Sequence, residues 1–338
     1  MKNILITGGC GFLGRYLVDL LLEQMPETKL KIVDVRCDDE LVDQLTKSDR
    51  VVLRTGRDIC RKSSIENDFA DADVVIHLAG KVSFSIKDKQ QLYDINTKGT
   101  ENVASLARDA GVSHYIQISS VAAIGYGNDR NKPVDEDFQF DWGEASRHNK
   151  HYSLSKHFAD QKVSKILKGK HYTIIYPGLM LGPGDRLNSV KLVNAIARKK
   201  LKFALPGGTN VVDVRDVARG ITEAVKTQTQ EKHLILSGYN LTFPEINTAI
   251  SKFLRTPPPT KTISPKFEGL MYLTTLMLEK FCPCNLPVTA DNIHSAFKFR
   301  YFDNSKAAEK LGWKPEYKFE TTVKDIVEWM EEYGLLEG

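Results

Sequence analysis

The sequence contains no run of about 20 apolar residues, the length a helix needs to cross a bilayer, so no segment reads as a membrane span. It also lacks a block of like charge: 47 basic and 43 acidic residues are mixed along 338 positions, for a net charge of +4. That balance argues against a nucleic-acid-binding surface, and the short Arg198-Lys199-Lys200 cluster reads as the solvated end of a helix. Cysteine is scarce, at five scattered positions: Cys10, Cys37, Cys60, Cys282 and Cys284. One residue separates Cys282 from Cys284, the wrong spacing for a CxxC redox or zinc pair, and no histidine cluster accompanies them in the sequence. The expectation is no metal, and reduced thiols in a cytoplasmic protein. Met1-Lys2 leads directly into a strand-like stretch at 3–7, a start that does not fit a signal peptide. Repeats and low-complexity segments are missing too.

What is present is a pattern of alternation. Short runs rich in Val, Ile and Leu occur at 4–6, 30–33, 51–53, 74–78, 115–118 and 172–176. Their near-continuous apolar character suits parallel strands covered on both faces. Between them lie segments such as 12–24 and 92–110, with apolar residues three and four apart. The alternation predicts an α/β fold, a doubly wound parallel sheet built from βαβ units. The second half is punctuated by Gly182-Pro183-Gly184, Pro206-Gly207-Gly208 and Pro257-Pro258-Pro259. A dinucleotide-binding domain over 1–180 is therefore expected, with the chain returning to it around 209–240. A smaller C-terminal substrate-binding domain is expected mainly over 181–338. Within it, 267–284 carries Met271, Leu273, Leu276, Met277, Leu278 and Phe281 and reads as a core-facing helix. The alternatives for that helix are the mouth of a substrate site and contact with a membrane.

The first strand runs straight into Thr7-Gly8-Gly9-Cys10-Gly11-Phe12-Leu13-Gly14, which opens a helix. In this strand–turn–helix setting Gly8 permits the tight turn, Gly11 lets backbone approach a pyrophosphate, and Gly14 lets the helix pack close. The helix N-terminus then offers free N–H groups to the phosphates. Asp34 ends the second strand at the distance where an acid accepts hydrogen bonds from the adenosine ribose. Its carboxylate would repel a 2′-phosphate and favours NAD; Arg36, two residues on, keeps NADP open.

Tyr152-Ser153-Leu154-Ser155-Lys156 lies in a helix-like stretch, so Tyr152 and Lys156 share a face one turn apart. A free phenol ionises near pH 10, and a neighbouring ammonium favours its charged form.

Taken in order, the glycine loop, Asp34, Asp58-Ile59, His77-Leu78-Ala79-Gly80, Asn96-Thr97-Lys98-Gly99-Thr100, Ser119-Ser120, the Tyr152–Lys156 pair and Tyr176-Pro177-Gly178 resemble the extended short-chain dehydrogenase/reductases, the NAD-dependent epimerase/dehydratase family. The stretches at 212–218 and 302–313 extend the resemblance over essentially the whole chain. It implies a Rossmann-type fold, with Ser120 holding the substrate oxygen, Tyr152 exchanging its proton, and Lys156 binding the nicotinamide ribose and lowering the Tyr152 pKa. It also implies that Asp58 and Ile59 border adenine, that Leu78, Ala79 and Gly80 line the cofactor groove with Phe12 and Leu13, and that Pro177, Gly178 and Leu179 lie near the nicotinamide.

Sugar dehydratases of this fold usually carry an Asp-Glu pair where Val121-Ala122 stands, so dehydration is not implied. The Ser119–Gly125 stretch looks more like the 3β-hydroxysteroid dehydrogenase and dihydroflavonol reductase-like branch. The expected function is hydride transfer between NAD(P) and a secondary alcohol or ketone of a fairly apolar small molecule. A nucleotide-sugar 4-epimerase and a non-catalytic NAD(H)-sensing protein are the alternatives. Relatives of this kind often dimerise, here through 92–110 and 148–167.

Overall fold

The computed structural model describes residues 2–198, 203–259, 261–282, 284 and 286–337. Lys199 and Lys200 therefore lie outside the described residues, while Arg198 caps the C-terminus of the helix Ser189–Ala197.

Strands β1 (Lys2–Thr7), β2 (Thr28–Val33), β3 (Val51–Arg54), β4 (Val74–His77), β5 (His114–Ile118) and β6 (Tyr172–Pro177) follow the apolar runs of the sequence. Two further strands, β7 (Leu179–Leu181) and β8 (Gly208–Asp213), leave this sheet, and β9 (His233–Leu236) returns to it. All seven strands of the resulting sheet are parallel, in the order β3-β2-β1-β4-β5-β6-β9. Strand order reverses between β1 and β4, the place where open α/β sheets bind ligands at their carboxyl ends. Successive β1 side chains enter opposite cores. Ile4 and Ile6 pack beneath the helices Phe12–Gln24 and Val214–Thr227, and Leu5 packs beneath Thr100–Asp109 and His151–Ile166.

A smaller sheet surrounds β8. It pairs parallel with β7 and with β11 (Phe299–Arg300), and antiparallel with β10 (Tyr239–Thr242). Asp213 ends β8, caps the next helix through Arg215 N at 2.8 Å, and accepts from Thr322 Oγ1 at 2.7 Å. One turn on, the fully buried Asp216 accepts from the backbone N–H groups of Glu316 and Tyr317 at 2.9 and 3.1 Å and from Arg219 at 2.8 Å. Trp313 Nε1 donates to the Asp216 carbonyl at 2.8 Å. Asp213, Asp216 and Trp313, from the motifs at 212–218 and 302–313, thus tie the C-terminal segment to β8 and the helix Val214–Thr227. Asp216→Ala leaves the N–H groups of Glu316 and Tyr317 without their acceptor, while Arg219 keeps Glu316 and the Lys314 carbonyl. It should lower the unfolding free energy by about 3 kcal/mol, with Asp216→Asn intermediate, measured from urea midpoints.

Two expectations are corrected. The apolar segment does form a helix, Glu268–Phe281, but its one buried residue is Glu279, while Leu270, Leu273, Met277, Leu278 and Phe281 are exposed. Its inner face combines the polar contacts of Glu268 and Glu279 with half-buried Met271, Tyr272 and Leu276. Cys282 and Cys284 are joined in a disulfide, with Cα atoms 5.4 Å apart, so the reading of reduced thiols holds only for Cys10, Cys37 and Cys60.

Candidate active site

At the end of β1, Gly8 adopts φ +75°, and a Cβ there would fall 2.5 Å from Ala79 N, so a side chain would push the loop off β4. A Cβ on Gly14 would collide with the Gly9 carbonyl. The helix Phe12–Gln24 starts at an exposed Gly11 with no side-chain cap and no acid in its first turn. Its free N–H groups are left for an anion. Half-buried Asp34 faces this loop, accepting from Cys10 N at 3.1 Å and more weakly from Arg36 N at 3.4 Å. Burial raises its carboxyl above the usual range, against the pull of those N–H groups. Arg36 is exposed. A glycine cradle, open N–H groups and a carboxylate at the next strand end fit a dinucleotide.

His77 is fully buried and held neutral, with a pKa near 3, by burial; its Nε2 lies 3.0 Å from Thr100 Oγ1. It joins β4 to the neighbouring helix, while the residues after it, Leu78 to Gly80, line the groove. Asp58 is bound within its own loop, accepting from Cys60 N at 2.9 Å and Arg61 Nε at 3.1 Å.

Ser120 follows β5 and accepts from Ala122 N at 3.2 Å, capping a short turn. Ser119 is turned the other way, donating to buried Asp160 at 2.7 Å. Tyr152 and Lys156 lie one turn apart on the helix His151–Ile166, both buried. The phenol ring packs edge-on against Phe84, and the Ser120 hydroxyl favours its charged form. Burial outweighs that contact and pushes the phenol up to about 12. Lys156 Nζ donates to the Ile118 carbonyl at 3.0 Å and faces Asp160 one turn further on. Burial lowers the Lys156 pKa and raises that of Asp160, each partly held by the other.

Asn96, whose motif was quoted from the sequence without a role for this residue, is buried beside the groove. It sits in a π-helical turn, Tyr93–Gly99, where it accepts from Lys81 N at 2.8 Å and donates to Ser155 Oγ at 3.0 Å. A Cβ on Gly80 would lie 3.2 Å from Asn96 Oδ1 and 3.3 Å from Lys156 Nζ, so this glycine leaves room for both groups to pack against the groove wall. An extra backbone residue in a helix is a recurrent mark of functional positions.

Every expected site residue, from Gly8 through Asp34, Ser120, Tyr152 and Lys156 to Leu179, lines one continuous cavity of about 1500 Å³. Its far wall adds residues that no spacing in the sequence marked. Lys150 is buried and donates to Asp291 and Ser295, both at 2.8 Å. Arg300 also lines the cavity, and its buried Nε makes no hydrogen bond within the protein. Tyr126 donates to Glu144 at 2.6 Å. Glu144, His148 and His294 hold donor atoms within 4.8 Å of one another. Both ring nitrogens of His294, however, already lie 2.9 Å from carboxylates, those of Glu144 and Glu268.

A model of the 3-beta hydroxysteroid dehydrogenase/isomerase family matches residues 5–238, spanning the glycine loop, Ser120, Tyr152, Lys156 and β9. The chain belongs to that family. Like the rest of it, the protein is an NAD(P)-dependent oxidoreductase of the extended short-chain type. Among its relatives is a putative dihydroflavonol 4-reductase of Synechocystis, 28% identical over 97% of this chain and 94% of that one. Another is 3beta-hydroxysteroid-dehydrogenase/decarboxylase isoform 1 of Arabidopsis thaliana, 26% identical over 96% of this chain and 78% of the relative. The fold is shared with DesIV, a dTDP-glucose 4,6-dehydratase from Streptomyces venezuelae solved with NAD and TYD bound. There the TM-score is 0.77 and identity 19%, over 99% of both chains.

Proposed function

We propose that this protein catalyses reversible hydride transfer between the nicotinamide of NAD and a secondary alcohol or ketone on a largely apolar skeleton. One observation carries the reading: Ser120, Tyr152 and Lys156 meet in the cavity that also holds the glycine loop and Asp34. When bound, the nicotinamide supplies the hydride acceptor or donor. Ser120 Oγ holds the substrate oxygen, and the Tyr152 hydroxyl takes up or returns its proton. Lys156 binds the nicotinamide ribose and keeps a positive charge behind the phenol. With the phenol raised to about 12 by burial, only a small fraction is ionised near neutrality. Oxidation, which uses the phenolate, should therefore accelerate with rising pH, and reduction, which uses the neutral phenol, should not. Initial rates in both directions from about pH 6 to 10 check the sign.

Arg300, whose buried Nε makes no hydrogen bond within the protein, supports a substrate that brings an acidic group to the far wall of the cavity, as a carboxylated hydroxysteroid would. The test is a panel of hydroxysteroids with and without a carboxylate, flavanonols and UDP-sugars, followed by NADH absorbance and product analysis. Oxidation of a hydroxysteroid is the expected result. Interconversion of UDP-sugars with no net NADH would replace this reading by the epimerase.

Asp34 sets cofactor choice in this reading. Asp34→Ala should weaken NAD and narrow its advantage over NADP, because a ribose acceptor and a repulsive charge go together. Titration of both cofactors measures it, and tighter NADP binding by the unmutated protein would assign the choice to Arg36. The helices Thr100–Asp109 and His151–Ile166 pack side by side, and a homodimer built through them would show as twice the chain mass in solution.

A further inference from the structure

The helix Glu268–Phe281 is turned inside out relative to an ordinary surface helix. Its two acids point inward: Glu279 accepts from Ala290 N at 2.7 Å, and Glu268 pairs with His294 at 2.9 Å and Lys298 at 3.1 Å. Its outer face carries Leu270, Leu273, Met277, Leu278 and Phe281, exposed by 53 to 80%, with Phe267 of the preceding turn 54% exposed. At 100° per residue these six fall on one arc, and the exposed Lys266 and Lys280 lie along its edge. The one hydroxyl on that arc, Thr274 Oγ1, donates to the carbonyls of Leu270 and Met271, at 2.9 and 3.0 Å.

We propose that this face docks the protein on an anionic lipid bilayer, with the helix lying in the plane of the interface. An apolar arc with lysines along one edge is what such a surface takes up. Phenyl, leucyl and methionyl side chains enter the acyl boundary while Lys266 and Lys280 meet lipid phosphates. A protein partner would need hydrogen bonds at roughly one per 100–200 Å², and this face has no free polar group apart from its lysines. A second copy would set the lysines of both chains together, with no exposed acid on the arc to pair them.

The location is consistent with use. The helix packs on Ala290–Ala296, whose Asp291, Asn292 and Ser295 line the cavity. The lipid-facing surface is thus one helix away from the substrate space. The proposal does not depend on which substrate that space takes.

The test is co-sedimentation with vesicles of phosphatidylcholine alone and of phosphatidylcholine with about one-third phosphatidylglycerol. The full-length protein should bind the anionic vesicles about tenfold or more tightly than the neutral ones, and high salt should reduce the difference. Lys266→Ala with Lys280→Ala should erase the preference. Leu270→Ser, Met277→Ser and Phe281→Ser together should lower binding by about 100-fold or more. The melting temperature and NAD titration of that variant should stay as in the parent, since the three side chains are exposed. Failure of the protein to sediment with either vesicle, or undiminished binding by the triple variant, would overturn the proposal. So would a dimer in solution that the triple variant splits, which would give the face to a second copy.

Discussion

Tyr152→Phe should lower turnover by at least about 10²–10⁴-fold while NAD(H) still binds. The substitution keeps the ring, and with it the edge-on contact to Phe84 at 5.5 Å between centroids. It removes only the hydroxyl, which in the proposed mechanism carries the substrate proton. Fold, cofactor groove and Lys156 position should survive, so cofactor titration and thermal melting serve as internal controls. The rising limb of the oxidation profile should disappear with the hydroxyl. Near-normal turnover of Tyr152→Phe on an authentic substrate would sink the mechanism and leave the dinucleotide fold standing.

Lys156→Met should damage more than turnover. The ammonium is buried, donates to the Ile118 carbonyl, and faces Asp160, whose Oδ1 has no hydrogen-bond partner. Removing the ammonium takes away a charge that partly offsets the burial of Asp160. Asp160, already raised by burial, can escape by taking a proton. Its folded pKa then lies further above the unfolded value of about 4, and the folded state binds the proton more strongly. Stability of the variant should therefore fall as pH rises from about 4 through that raised value, by at most about 1.4 kcal/mol per unit. The parent should show a shallower loss, because Lys156 limits the rise. Adding Asp160→Asn to Lys156→Met should restore stability at alkaline pH without restoring turnover or NAD affinity. Denaturant unfolding across the pH range separates the two roles; recovered turnover in the double variant would show that Lys156 acts only by balancing Asp160.

The corrections share a cause. The spacing of Met271, Leu273, Met277 and Phe281 established a helix, but periodicity says which residues share a face, not what that face meets. The opposite arc holds Glu268 and Glu279, and once these found His294, Lys298 and the Ala290 amide, the apolar arc was left outside. Tyr152 and Lys156 lie one turn apart, as their spacing implies, while burial and Asp160 both act to raise the phenol in the protein alone.

By itself the sequence determined the order of strands and helices, the glycine loop with Asp34 after it, and the Tyr152–Lys156 pair. Each rests on distances of a few residues, where helix rise and strand alternation set the geometry before any packing occurs. Tertiary structure alone decided that Asn96 joins Lys81 to Ser155 beside the groove and that Lys150, Arg300 and Asp291 form the far wall of the cavity. It also turned 268–281 outward and joined Cys282 to Cys284. The far wall depends on surfaces that meet across about 140 residues of chain, as between Lys150 and Asp291, and the outward face on the cost of leaving a buried charge unpaired, neither of which a local pattern records.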